Sequence, residues 1–176
     1  MSGLLYLESD DFHIQQGQKG PLLCTQIPDI SLILFYSTTC GYCHKVIPLF
    51  KQLPGTISGV YVGIVNVYKN QACIERSKNT IAPITFVPYI VLYHNGKPFM
   101  RYNGPYDLGE IRRFIFEVSE KLRARQTFHN TPNVKPAGQE RGIPEFCIGR
   151  PKEDDVCYLE ESIAYSSSGG LIQRSQ

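Results

Sequence analysis

The segment Cys40-Gly-Tyr-Cys43 contains the residues of this chain whose types and spacing could do chemistry. Two thiols separated by two residues can close a small disulfide ring and exchange it with another thiol, provided that one sulfur is exposed to attack. An apolar run ends before the motif and a helical pattern follows it, so we expect the first sulfur at a helix N-terminus. Free N–H groups and the helix dipole favour a thiolate there. Cys40 is therefore the predicted nucleophile, and Cys43, one turn into the helix, is the predicted resolving thiol.

Two other chemistries use cysteines at this spacing. The string Cys40-Gly-Tyr-Cys43-His44 also matches the C-x-x-C-H sequence that attaches haem in c-type cytochromes, but that chemistry needs an oxidising compartment and a second axial ligand. A zinc site would need a second ligand pair, and the separation of Cys147 from Cys157 is not that of a zinc knuckle. Zinc held jointly by the domain and the late segment that contains Cys147 and Cys157 is the weaker alternative. The sequence thus predicts no cofactor and no metal.

The other four cysteines have less obvious roles. Cys24 and Cys73 are expected to be small, buried or half-buried thiols. Cys147 and Cys157 occur late in the chain, where three interpretations stay open. They could form a disulfide with each other, exchange with the Cys40–Cys43 pair, or be two unrelated thiols.

Strand and helix patterns surround the motif up to about residue 125. Strands are predicted at residues 4–8, 31–36, 60–68, 89–93 and 98–102, and helices after Cys43, at 71–78 and from Asp107 onward. The continuous apolar run at 31–36 is typical of a strand buried on both faces, and Asn95-Gly96 is a hairpin signal. The segment between the first two strands is a poorly defined connection. This order predicts an α/β fold with a central mixed sheet flanked by helices.

Length and charge limit the classes of function. The 176 residues, 42% of them hydrophobic, suit one domain with some material left over, and a net charge of +2 is too mild to indicate nucleic acid. The sequence shows no secretory signal and no run of membrane-span length, which predicts a cytoplasmic protein. We divide the chain into a domain at residues 1–125 and an extension at 126–176. The extension is partly irregular and is expected to pack on the domain or on a partner.

The motif in its setting resembles the thioredoxin superfamily over roughly residues 3–124. The resemblance is carried by the strand leading into the cysteine pair, Pro48, Val87-Pro88 before a strand, the segment 94–97, Gly104 and the last amphipathic helix. It implies a thioredoxin fold, with a cis Pro88 beside the cysteine pair. It also implies a substrate-binding surface formed by Gly41, Tyr42, Val87 and Pro88, where the Val87 backbone pairs with an extended polypeptide.

The chain also departs from this family. Thr39 stands where a tryptophan usually precedes the first cysteine, and Leu34 stands where a buried acid usually assists the resolving cysteine. Without that acid, deprotonation of Cys43 should be slower. His44 is a candidate replacement acid/base, with a solvated helix residue as the alternative. The extension is similar to that of thioredoxin-like proteins of large DNA viruses.

The resemblance implies a thiol–disulfide oxidoreductase that exchanges disulfides with protein substrates through Cys40 and Cys43. The expected partners are proteins with cysteines or disulfides and a redox partner protein, with no nucleic acid and no membrane span. The alternative is a thioredoxin-fold binding or assembly protein, in the virion if the source is viral, with weak or no redox turnover.

Overall fold

The computed structural model of the chain describes residues 3–127, 142–147 and 156–159. The strands are β1 (Leu4–Leu7), β2 (Phe12–Gln16), β3 (Pro21–Thr25), β4 (Ile30–Tyr36), β5 (Val60–Asn66), β6 (Phe86–Val87), β7 (Tyr89–His94), β8 (Lys97–Asn103), β9 (Glu145–Cys147) and β10 (Cys157–Tyr158). The helices are α1 (Gly41–Gln52), α2 (Gln71–Lys78) and α3 (Leu108–Thr127). None of these helices is long and apolar enough to cross a membrane.

A mixed six-stranded sheet in the order β1-β5-β4-β7-β8-β9 forms the centre of the fold. Strand β4 lies inside it, parallel to β5 and antiparallel to β7, which confirms the predicted α/β class with a mixed sheet. Successive side chains of a strand point to opposite faces. Leu32 and Leu34 therefore pack on one face of the sheet, and Ile33 and Phe35 pack on the other.

Each face of the sheet carries its own core. The α1/α3 cluster contains the buried side chains of Leu32, Leu34, Val46, Phe50, Ile64, Ile90, Ile111 and Phe114, among others. The α2 cluster contains those of Phe12, Ile33, Phe35, Cys40, Cys43, Cys73, Val87 and Cys157, among others. The predicted redox pair thus belongs to the face of the sheet that α2 covers.

Strands β2 and β3 form an antiparallel hairpin where the sequence had indicated only a poorly defined connection. Phe12 and Leu23 are buried in the α2 cluster, while Ile14 is exposed. The Arg76 guanidinium of α2 donates to the carbonyl oxygens of Ser9 and Phe12, which ties the hairpin to the helix. The sequence does not predict strand β2 because most of its residues are polar and exposed to solvent. Only its first residue, Phe12, is buried.

Two short strands from the region beyond residue 125 pair with the rest of the fold. Strand β9 runs parallel to β8, and the Phe146 ring lies 4.8 Å from the Phe114 ring of α3, measured between centroids. Strand β10 pairs antiparallel with β6. The remaining predicted features of the extension, at residues 128–141, 148–155 and 160–176, lie outside the described residues.

The Asn95-Gly96 turn supports a prediction about stability. Both residues have positive φ, at 49° and 78°, and a Cβ atom on residue 96 would lie 2.1 Å from the Thr25 carbonyl oxygen. We expect Gly96→Ala to lower the free energy of unfolding by at least about 2 kcal/mol, since it adds this clash to the strain of a left-handed backbone. Urea denaturation measures the change.

Gly55→Ala is the matched control for this substitution. A Cβ atom at residue 55 would meet no atom within 4 Å, so the expected change lies within about 0.5 kcal/mol. Equal effects of the two substitutions would contradict the assignment of the turn as the sensitive position.

Candidate functional site

Strand β4 and helix α1 together position the two cysteines of the motif. The strand ends at Tyr36, and Cys40 is the extended N-cap residue of α1, with φ −97° and ψ 117°. The first N–H groups of a helix have no intrahelical acceptor, so a side chain at the N-cap can take them up. The Cys40 sulfur lies at this end of α1 without a capping hydrogen bond, and the positive end of the helix dipole favours its charged form.

The two thiols of the motif have opposite acidities. The hydrogen bond from the Cys43 thiol, helped by a hydrogen bond from Cys157 and by the helix N–H groups, lowers the pKa of Cys40 to about 6 despite burial. The same hydrogen bond to Cys40, together with desolvation, raises the pKa of Cys43 far above its ordinary value. The arrangement therefore favours a thiolate at Cys40 and a protonated thiol at Cys43.

Cys40 is not exposed in this structure, contrary to the expectation from the sequence. Cys40 and Cys43 are both 0% exposed. The reason is the segment that contains β10, because Cys157 and Leu159 belong to the same apolar cluster as Cys40.

The segment Val87-Pro88 lies directly beside Cys40. The peptide bond between the two residues is cis, the isomer that the resemblance implies. The Cys40 sulfur lies 3.7 Å from the Val87 carbonyl oxygen, within reach of a hydrogen bond from the protonated thiol. Val87 and Pro88 are buried, while Gly41 is exposed and Tyr42 is half-buried. The structure thus brings the residues named from the sequence into one site.

His44 lies at the border of this site. Its side chain is exposed, and its Nε2 atom lies 2.9 Å from the Thr38 carbonyl oxygen. Because a carbonyl oxygen can only accept, Nε2 must carry the hydrogen and donate it. Its acid/base role stays a prediction. Thr39, at the position of the missing tryptophan, is also exposed, and its hydroxyl lies 2.9 Å from that of Ser37.

Three residues of this site, Cys157, Phe86 and Arg101, are not assigned to it by the sequence. Cys157 packs with Cys40, whereas the sequence leaves three roles open for it. The Phe86 ring lies beside Val87, and the Arg101 guanidinium stacks over it at 5.1 Å. The only sequence signal for Cys157 is the short apolar segment around it, which indicates a strand without naming its partner.

The remaining cysteines, Cys24, Cys73 and Cys147, are not part of the described site. Cys24 and Cys73 are buried, and desolvation raises the pKa of Cys73 to about 12. The side chain of Cys147 lies outside the described residues. Over the described parts of the chain, no group of three or more His, Cys, Asp or Glu side chains is arranged to hold a metal ion.

The chain is similar to known proteins in both sequence and fold. The thioredoxin family model matches residues 24–117. The chain is 34% identical over 175 residues to the uncharacterized protein 196R of Invertebrate iridescent virus 6, which covers 96% of this chain and 97% of that protein. It is 29% identical over 88 residues to the thioredoxin of Chlamydia caviae, covering 50% of this chain and 81% of that protein. The structure of human ERp44 in its zinc-bound form superposes with a TM-score of 0.52 at 16% identity, over 66% of this chain and 31% of that chain, and shows a shared fold alone.

Proposed function

The chain belongs to the thioredoxin family, and on that premise we propose that it is a thiol–disulfide oxidoreductase acting on proteins through Cys40 and Cys43. The observation that carries the proposal is the placement of Cys40 and Cys43 at the start of α1, with the Cys40 sulfur 3.7 Å from the Val87 carbonyl oxygen beside the cis Val87-Pro88 bond. A pKa of about 6 makes Cys40 a thiolate at neutral pH, while Cys43 stays protonated beside it. Thiol–disulfide exchange needs this combination of one ready nucleophile and one thiol held in reserve.

The proposed exchange has two steps. The Cys40 thiolate attacks one sulfur of a substrate disulfide and forms a mixed disulfide, and the other substrate sulfur leaves as a thiolate and takes up a proton. Cys43 then loses its proton and attacks the Cys40 sulfur, which releases the second substrate thiolate and closes the Cys40–Cys43 disulfide. The substrate gains two electrons from the chain and two protons, one matching the proton that Cys43 loses and one taken from solvent. The reverse sequence transfers a disulfide to a dithiol substrate.

The backbone beside Cys40 suits an extended polypeptide as the substrate. Strand β6 lies next to the Cys40 sulfur, and its Val87 carbonyl is 3.7 Å from that sulfur. A substrate segment that adds to β6 as an antiparallel strand would bring its own cysteine to Cys40. Such recognition uses the substrate backbone, so it places few demands on the substrate sequence.

Insulin reduction tests this proposal directly. The chain should accelerate the precipitation of insulin by dithiothreitol, which follows from cleavage of the insulin disulfides. No acceleration over the uncatalysed reaction, at any chain concentration up to that of the insulin, would overturn the proposal.

The acidity of Cys40 supports a second measurement. Alkylation of Cys40 by iodoacetamide in the reduced chain should rise with pH around a midpoint near 6, because only the thiolate reacts. Burial of Cys40 should slow alkylation at every pH. Mass spectrometry of the Cys40 peptide measures the rate at each pH.

Two substitutions of Cys43 make a matched pair for this titration. Cys43→Ser keeps a hydroxyl donor beside Cys40, so its midpoint should stay close to that of the wild type. Cys43→Ala removes the largest cause of the lowered pKa, and its midpoint should move upward toward the ordinary value of a thiol. Identical midpoints in the two variants would contradict the assigned hydrogen bond.

A binding or assembly role is the second candidate function, and the burial of Cys40 favours it. In this structure β10 pairs with β6, and Cys40 has no exposed surface. A binding protein of this kind would leave the insulin reaction unaccelerated and would form no mixed disulfides with client proteins.

A further inference from the structure

Strand β10 binds along the edge of β6, beside the predicted nucleophile. Cys157 is the register partner of Val87, and Tyr158 is that of Phe86. The Leu159 N–H donates to the Thr85 carbonyl oxygen at 2.6 Å. The rings of Tyr158 and Phe86 meet edge to face with centroids 6.1 Å apart. Backbone pairing and a ring contact therefore hold residues 156–159 at this edge.

The Cys157 thiol lies beside the predicted redox pair, in the apolar cluster that contains Cys40 and Cys43. It is 1% exposed and packs in the same apolar cluster as Cys40 and Val87, while Tyr42 packs against that cluster. The N-terminus of α1 thus faces two sulfurs from opposite parts of the chain. Burial, and then the hydrogen bond to Cys40, raises the pKa of Cys157 to about 12, so in the reduced chain Cys157 is the protonated partner.

We propose that residues 156–159 occupy the substrate site as an intramolecular substrate, and that Cys157 forms a reversible disulfide with Cys40. This inference rests on the proposed function, because it takes the edge of β6 as the place where a substrate strand binds. The segment meets both demands made of a substrate, since it adds to β6 as an antiparallel strand and presents a cysteine to Cys40.

The step conserves atoms and electrons without an outside oxidant. It starts from the Cys40–Cys43 disulfide, which the chain acquires by reducing a protein disulfide. The Cys157 thiolate attacks the Cys40 sulfur, so that the Cys40–Cys157 bond forms and the Cys40–Cys43 bond breaks. Cys43 leaves as a thiolate and takes up the proton that Cys157 has lost. One disulfide exists before and after, and the product fixes the segment over the substrate site.

In this arrangement residues 156–159 and a substrate strand compete for the same edge of β6, beside Cys40. A substrate strand can bind only when residues 156–159 have left β6, so its apparent affinity falls by the fraction of molecules in which the edge is free. An edge that is free in about a tenth of the molecules weakens substrate binding about tenfold. When the Cys40–Cys157 disulfide has formed, the edge of β6 stays covered until another thiol reduces that disulfide.

A trapping experiment on the full chain tests the disulfide. Cys43→Ser prevents closure of the Cys40–Cys43 disulfide, and oxidised glutathione then supplies the oxidising disulfide through a mixed disulfide at Cys40. We expect Cys157 to displace glutathione, which gives a Cys40–Cys157 crosslink in peptide mass maps made without reduction. Cys43→Ser/Cys157→Ser should keep glutathione on Cys40 instead.

The second late cysteine provides the matched control. Cys43→Ser/Cys147→Ser should retain the Cys40–Cys157 crosslink, because the substitution leaves residues 156–159 intact. In Cys43→Ser alone, glutathione remaining on Cys40 beside a free Cys157, or a Cys147–Cys157 crosslink in place of the Cys40–Cys157 crosslink, would overturn the inference.

Insulin reduction separates this inference from the proposed function. Leu159→Pro removes the N–H that donates to the Thr85 carbonyl oxygen, so it should free the edge of β6 and raise turnover at subsaturating insulin severalfold, whereas Cys147→Ser should leave turnover unchanged. Equal turnover of Leu159→Pro and the wild type would overturn the competition. Absence of turnover in both would overturn the proposed function, while the crosslink would still report on the pairing of Cys157 with Cys40.

Discussion

Cys40→Ser should reduce insulin no faster than the uncatalysed reaction with dithiothreitol. A serine hydroxyl is not ionised at neutral pH and cannot form the mixed disulfide with which the proposed exchange begins. The substitution changes one atom in a fully buried side chain, so the fold should persist. Circular dichroism of the variant, compared with that of the wild type, verifies this while the turbidity assay measures turnover.

Cys43→Ser should fail at the other step of the same reaction. Its Cys40 thiolate can still attack a substrate, but Cys43 no longer resolves the mixed disulfide. Client mixed disulfides should therefore accumulate on gels run without reduction in Cys43→Ser/Cys157→Ser, where Cys157 cannot displace the client either. Cys73→Ser is the matched control, because Cys73 lies on α2 and its pKa of about 12 keeps it protonated at neutral pH. Wild-type turnover in Cys40→Ser, or its loss in Cys73→Ser, would contradict the proposed assignment of roles.

The central part of the fold could be predicted because its patterns are local. The apolar run in β4 needs burial on both faces, and the structure buries Ile30 through Phe35 in the interior of the sheet. Helix α2 begins and ends at the predicted residues, Gln71 and Lys78. The β2–β3 hairpin was missed because its core contribution depends on Phe12 and Leu23 reaching α2, which no short window of sequence reveals.

The residues of the candidate site also differ in whether local sequence predicts their contacts. Cys40 and Cys43 come together through one helical turn, which spacing alone predicts, whereas the approach of Val87 and Pro88 was implied by the resemblance. Cys157 reaches Cys40 by long-range strand pairing, and a two-residue strand leaves almost no pattern in a sequence. The exposure expected for Cys40 was wrong for the same reason, since the segment that covers it lies far along the chain.

Leu34 offers a prediction about why this chain lacks the family's buried acid. Its side chain is 0% exposed within the α1/α3 cluster, and its register partners are Ile64 on β5 and Ile90 on β7. A carboxylate there would lie among apolar side chains. We expect Leu34→Asp to lower the free energy of unfolding at neutral pH by about 3–4 kcal/mol beyond Leu34→Asn, the cost of an uncompensated buried charge.

The pH dependence of that difference identifies charge as its cause. Burial would raise the pKa of the new carboxyl group in the folded state above its unfolded value of about 3.9. Below the unfolded value both states are protonated, so the two variants should be equally stable. Stability of the Asp variant should then fall by about 1.4 kcal/mol per pH unit, relative to the Asn variant, until the pH reaches the folded pKa.

Urea denaturation at several pH values between about 4 and 8 measures this slope. A difference that stays constant with pH would show that polarity or lost volume, rather than charge, is what the site excludes. The expected slope has a consequence for the proposed exchange, because a chain that tolerates no carboxylate at residue 34 cannot use one to deprotonate Cys43. The hydrogen bond to Cys40, and then burial, raises the pKa of Cys43 in the reduced chain, and burial persists in the mixed disulfide. Resolution of the mixed disulfide should therefore be the slow step and should quicken as the pH rises.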